Sequence, residues 1–194
     1  MKLYQFAGSS FCEKIRRILA YKGLSYEKVE VPGDNRAELI QVSGQKVVPV
    51  LADGPKVIID STWIAQYLEE KYPQKKVYPQ DKQLRGMALL IEDWADEVLC
   101  TVARGLTAPH RLKQELSAED REKRTKALTI CLSTLDQALE GRNWLVADAC
   151  TVADFAAYGQ VWPLRLLPTY SIPQEYRNLL SWKDRMEKIT GPAS

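Results

Sequence analysis

Ser9-Ser10-Phe11-Cys12 puts two hydroxyls and a thiol into four residues. The stretch follows a short apolar run, Leu3-Tyr4-Gln5-Phe6-Ala7, and precedes the periodic segment 11–22, which closes at Gly23. The run reads as a strand and the segment as a helix, with Phe11, Ile15, Ile18 and Leu19 on one face. The first turn of a helix presents free N–H groups and the positive end of the dipole, so it favours an anion. A thiolate is an anion, either that of Cys12 or that of a bound thiol. A free thiol has a pKa near 8.5 and is little ionised at neutral pH. Lowering that value by about two units takes roughly 2.7 kcal/mol. One charge-assisted hydrogen bond from a serine hydroxyl is about that strong. The serine then acts as a donor to sulfur and not as a nucleophile.

Two other places carry chemistry. Pro49 follows Val47-Val48 in an apolar run, where a residue without an N–H interrupts a ladder. Asp60-Ser61 sits between a strand-like run and a helix-like one, where either residue can cap the helix. Most remaining site chemistry is excluded. His110 is the one histidine, and Cys12, Cys100, Cys131 and Cys150 lack metal-ligand spacing, so no metal is expected. A Ser-His-Asp hydrolase would have to use His110, which follows Ala108-Pro109 with no partner in the pattern. The net charge of +2 gives no reason to expect nucleic acid or a membrane surface as partner. No run approaches the roughly 20 apolar residues of a membrane span. The chain opens directly on a strand, so no signal peptide is expected. The cysteine usage points to a cytoplasmic protein with reduced thiols.

The elements that must position these residues change character along the chain. The first 72 residues read β-α-β-α-β-β-α: strands over 3–7, 25–31, 47–51 and 56–59, and helices over 11–22, 35–42 and 61–72. Asp53-Gly54-Pro55 is the hairpin turn between the last two strands. A strand, a crossover helix and a second strand give a parallel pair, and the hairpin adds antiparallel strands. Residues 73–82 carry two prolines and a charge cluster and read as a linker. Beyond it the pattern is helical, over 83–107, 118–139, 151–166 and 174–189. Ser117 is an expected N-cap, with Asp120 at the third helical position. Thr151-Val152-Ala153-Asp154 is an expected capping box, with Asp154 in a folding role.

This arrangement resembles the cytosolic glutathione transferase family over essentially the whole chain. The likeness rests on Ser9-Ser10-Phe11-Cys12 with Tyr21-Lys22-Gly23-Leu24-Ser25-Tyr26, and on Lys46-Val47-Val48-Pro49-Val50-Leu51. It rests also on Ile59 to Leu68 (IDSTWIAQYL) and on Trp144 to Phe155 (WLVADACTVADF). The resemblance is to serine-type classes. It implies an α+β fold: a thioredoxin-like N-terminal domain with a mixed four-stranded sheet over 1–73, a linker over 74–82, and an all-helical domain over 83–194.

By the same resemblance the chain binds glutathione as co-substrate and conjugates it to hydrophobic electrophiles. Ser9 is the implied donor to the glutathione sulfur, with Ser10 as the alternative. Tyr4 lies too early in its strand to compete well. The Val48-Pro49 bond is implied to be cis, with the Val48 N–H and C=O pairing with the cysteinyl amide of glutathione. Ser61 and the helix start behind it are implied to hold the γ-glutamyl carboxylate, and Asp60 the α-ammonium. Lys46 or Gln45 would hold the glycyl carboxylate. Cys12 is an expected packing residue with a redox option. Trp94, Leu99, Val102, Arg104, His110 and Trp162 are candidates for the electrophile pocket. A homodimer is implied, with Glu92, Asp93 or Asp96 within reach of the partner's ligand. The rival functions are a glutathione-dependent isomerase or dehalogenase, a thiol-disulfide reductase working through Cys12, and a non-catalytic binding module on the same fold.

Overall fold

The computed structural model describes residues 1–191, so residues 192–194 of the expected helical domain lie outside the described residues. The described residues form two compact units, residues 1–77 and 78–191.

The first unit runs β1 (Lys2–Gln5), α1 (Ser10–Lys22), β2 (Glu27–Glu30), α2 (Ala37–Ser43), β3 (Val50–Asp53), β4 (Lys56–Ile59) and α3 (Ser61–Lys71). The sheet order is β2-β1-β3-β4. β1 is parallel to β2, with Tyr4 opposite Val29. It is antiparallel to β3, with Leu3 opposite Leu51. β3 and β4 form the hairpin, with Val50 opposite Ile59. Side chains alternate between the two faces of a strand. Tyr4 and Val50 therefore share one face, where they cluster with Val31 and Leu39. Leu3 and Leu51 point to the other face and are fully buried.

β3 begins three residues later than the apolar run 47–51 predicts. Pro49 has no N–H to give a ladder, and pairing with β1 starts only beyond it. Val47 is consequently 62% exposed and not a core residue. Gly23 ends α1 in the left-handed conformation (φ 69°), which glycine adopts without strain, and its N–H caps the last turn. The Lys22 ammonium is buried, bonded to Glu69 at 2.9 Å and to the carbonyls of Tyr72 and Gln74 at 2.9 and 3.2 Å. It holds the chain where α3 ends.

The second unit runs α4 (Lys82–Trp94), a π-helical turn (Ala95–Leu99), α5 (Cys100–Arg111), α6 (Ala118–Ala138), α7 (Val152–Val161), a 3-10 turn (Trp162–Leu166) and α8 (Arg177–Thr190). The helix expected over 83–107 is thus two helices joined by a wider turn, and it continues through Pro109. A proline inside a helix frees the carbonyl four residues back. That carbonyl belongs to Gly105, and Arg124 Nη1 of α6 donates to it at 2.7 Å. The segment expected over 151–166 is α7 plus the 3-10 turn. α7 is buried on every side, as an apolar helix at the centre of a bundle must be. Among the described residues no helix is long and apolar enough to cross a membrane.

Candidate functional site

Ser9 is the N-cap of α1. It is extended (φ −86°, ψ 121°), and its Oγ accepts the Cys12 N–H at 3.3 Å. Its own N–H goes to the Phe6 carbonyl at 3.0 Å, so the turn from β1 into α1 is closed on itself. A hydroxyl that accepts one hydrogen bond still has a proton to donate, and accepting polarises it as a donor. Ser9 is half-buried, whereas Ser10 is the first helical residue and is buried.

The Cys12 thiol also faces the Ser9 side chain and the Phe6 backbone. Its residue exposure is 0%. Burial pushes this thiol up from its ordinary value, against smaller lowering effects from Ser9, Phe6 and Arg16. A neutral thiol is a weak acceptor and a poor nucleophile. The geometry therefore speaks for the packing role and against the redox option.

Below Ser9 lies a polar network that a helical wheel would assign to solvent. Glu13, Arg16 and Arg17 are all buried. Arg16 Nε and Nη2 donate to Glu13 Oε2 at 2.8 and 2.6 Å, and Arg17 Nε donates to Glu13 Oε1 at 2.6 Å. Arg16 also reaches back to β1 and its loop: Nη1 to Gln5 Oε1 at 3.1 Å and Nη2 to the Ala7 carbonyl at 3.2 Å. Sequence reasoning missed this network. Its signal was the spacing of Glu13 to Arg16 and Arg17, three and four residues on, which places opposite charges on one helical stripe.

The Val48-Pro49 bond is cis. Val48 precedes the first ladder pair of β3, so its N–H and C=O lie outside the sheet pairing. Lys46 is exposed, and the half-buried Gln45 donates from Nε2 to the Val47 carbonyl at 3.3 Å.

At α3 the cap is Asp60 and not Ser61. Asp60 has φ 67°, and its Oδ1 accepts the N–H groups of Thr62 and Trp63 at 2.9 and 3.3 Å. Two of the N–H groups expected to be open to a ligand are thereby closed by the protein's own carboxylate. Ser61 becomes the first helical residue and is buried. It cannot cap and bind at once, as the sequence pattern allows. Its N–H and hydroxyl have no hydrogen-bond partner among the described residues, so they remain for an incoming group.

Candidates in the second unit do not converge. His110 lines a cavity of about 240 Å³ with Leu106, Arg121 and Tyr170. Trp162 lines a different one, of about 270 Å³, with Tyr158, Arg165 and Leu180. Leu99 is core, Arg104 is exposed, and Glu92 is buried, which removes it as a residue reaching another subunit. Asp154 is wholly buried and accepts from Leu145 N, Thr151 N and Trp182 Nε1 at 2.9–3.0 Å. Among the described residues no cluster of His, Cys, Asp or Glu can hold a metal ion.

Family models and known proteins agree on the relationship. The model described as "Glutathione S-transferase, N-terminal domain" matches residues 3–76. The model described as "Glutathione S-transferase, C-terminal domain" matches residues 94–191. A probable glutathione S-transferase of Nicotiana tabacum is 30% identical over 159 residues, 81% of this chain and 68% of that protein. In fold, the chain is similar to a delta-class glutathione transferase of Nilaparvata lugens, with TM-score 0.84 and 23% identity, over 98% of this chain and 90% of the other. It is similar also to a glutathione transferase of Bombyx mori, with TM-score 0.85 and 19% identity, over 97% and 88%. With a mixed-sheet unit carrying Ser9, Val48-Pro49 and Ser61, followed by a helical unit, both matched by its models, the chain belongs to the glutathione S-transferase family.

Proposed function

We propose that the chain is a glutathione transferase in which the Ser9 hydroxyl holds the glutathione sulfur as a thiolate for attack on a hydrophobic electrophile. The observation that carries this reading is the N-cap geometry at α1. Ser9 Oγ accepts the Cys12 N–H and keeps its proton for a sulfur. The neutral Cys12 thiol is the competing acceptor within the protein, and a thiolate outcompetes it as the stronger partner. Family membership supports glutathione as the co-substrate.

The rest of the tripeptide has matching groups in the same unit. The Val48 N–H and C=O, outside the ladder, offer two hydrogen bonds to an extended backbone, in the manner of an added strand. The Ser61 N–H and hydroxyl, at the positive end of α3, suit the γ-glutamyl carboxylate. The second oxygen of Asp60 suits the α-ammonium. Lys46 suits the glycyl carboxylate. In the reaction the thiol proton leaves to solvent, the thiolate attacks carbon, and a carbon–sulfur bond forms by addition or with loss of a leaving group. Binding both reactants supplies proximity, and Ser9 supplies the nucleophile at neutral pH.

A homodimer completes the reading, with residues 74–82 as the linker between the two domains. Trp63 on α3 is 64% exposed, and Met87 and Leu90, three apart on α4, are 45% and 69% exposed. Exposed apolar residues of this size suit a subunit interface. The four free cysteines suit a reducing cytoplasmic setting. The test is conjugation of glutathione to an aryl halide and to an isothiocyanate by the wild-type protein and by Ser9→Ala. Activity that is lost in Ser9→Ala with glutathione affinity retained supports the reading. Full activity in Ser9→Ala overturns it.

A further inference from the structure

The buried network under α1 has no part in the binding scheme above, yet it is built around the loop that carries Ser9. Residues 6–9 connect β1 to α1. One end of this turn is tied by its own backbone, Ser9 N–H to Phe6 O. The Ala7 carbonyl, which points out of that turn, has its hydrogen bond from Arg16 Nη2. The same guanidinium holds Gln5, the last residue of β1, and Glu13, on the first turns of α1. One planar group thus bonds the strand, the loop and the helix at once. Only arginine offers donors in three directions from a rigid plane.

We infer that Arg16 is a positioning residue for thiolate activation: by joining Gln5, Ala7 and Glu13 it fixes the turn that aims the Ser9 hydroxyl. The inference rests on Ser9 being the donor to the glutathione sulfur. Arg16 and Arg17 both pair with the Glu13 carboxylate. At the Cys12 thiol, which faces Ser9, the Arg16 charge favours the anion and the Glu30 carboxylate opposes it. Arg16 therefore serves the site by geometry.

Arg16→Lys keeps the charge but cannot span three acceptors. Gln5→Leu removes one acceptor and leaves the contacts to Ala7 and Glu13. Each variant is checked for a cooperative melt, and glutathione is titrated through its thiolate absorbance in the complex. Folded Arg16→Lys is expected to raise the pKa of bound glutathione by about one unit and to lower kcat about tenfold. The KM for glutathione is expected to stay within about twofold, because Arg16 touches no ligand group. Gln5→Leu is expected to move the same pKa in the same direction by less, and it carries the test where Arg16→Lys does not fold. An unchanged thiol titration in the folded variant overturns the inference. Ser9→Ala is run beside them. If Ser9→Ala leaves the titration in place, the serine reading fails and this inference with it. If Ser9→Ala abolishes the shift while the Arg16 and Gln5 variants leave it intact, this inference alone fails.

Discussion

Three described helices start with a hydroxyl residue at the N-cap, and two of them, α7 and α1, differ in what stands three residues on. At α7 the cap is Thr151 and the third helical residue is Asp154. The box is closed: the Asp154 carboxylate accepts both the N–H and the hydroxyl of Thr151, and Thr151 accepts the Asp154 N–H in return. Asp154 also takes Leu145 N and the Trp182 indole. The Asp154 carboxylate at that helix start is spent within the protein. At α1 the cap is Ser9 and the third residue is Cys12. Cys12 gives its N–H, but a neutral buried thiol offers little in return. The same local device is a structural cap where it is closed and a candidate catalytic group where it is open.

The largest effect should fall on the closed cap. Asp154→Ala removes the acceptor of four donors, the Thr151 N–H and hydroxyl, Leu145 N and the Trp182 indole, and should cost about 3–5 kcal/mol of stability. Denaturant unfolding measures it, and specific activity per folded molecule should be unchanged. The open cap should show the reverse. Ser9→Ala should lower kcat/KM about 100- to 1,000-fold, the scale of losing one donor to a developing anion. Its cost to stability should be about 1 kcal/mol, that of an ordinary N-cap. A stability loss at Ser9 as large as at Asp154 would erase the contrast.

The α3 start lies between the two, because Asp60 caps the helix with one oxygen and faces the proposed ammonium with the other. Asp60→Asn keeps a capping oxygen and removes the charge. It should raise the KM for glutathione about tenfold with little change in melting. Asp60→Ala should add about 1 kcal/mol of lost stability to that. Equal effects of the two substitutions on melting would show that Asp60 does not cap in solution. The smallest effect is expected at Cys12. Cys12→Ala should leave activity within about threefold and cost about 1 kcal/mol through a small cavity. A disulfide reductase working through Cys12 would lose everything in that variant.

The element order was legible because its punctuation is chemical. Gly23 needs the left-handed region, Asp53-Gly54-Pro55 makes the hairpin, and the Thr151–Asp154 spacing makes a capping box. Ser9, Pro49 and Ser61 were singled out through resemblance more than through physics. What stayed hidden depends on tertiary partners. Pro109 looked like a helix end, and only Arg124, far along the chain, makes it tolerable by taking the Gly105 carbonyl. The burial of Glu13, Arg16 and Arg17 stayed hidden, because a charge pattern does not say whether it is covered. Which of Asp60 and Ser61 caps α3 stayed open, because the left-handed backbone of Asp60 and its two N–H partners are properties of the folded turn.

The most direct measurement is the titration of glutathione bound to the wild-type protein and to Ser9→Ala, followed by thiolate absorbance across pH. Stabilising the anion lowers its pKa, so thiolate should appear in the wild-type complex about two units below free glutathione. In Ser9→Ala the midpoint should return most of the way to the free value while glutathione still binds. Coincident titration curves for the two complexes would contradict the assignment of Ser9 as the group that holds the thiolate.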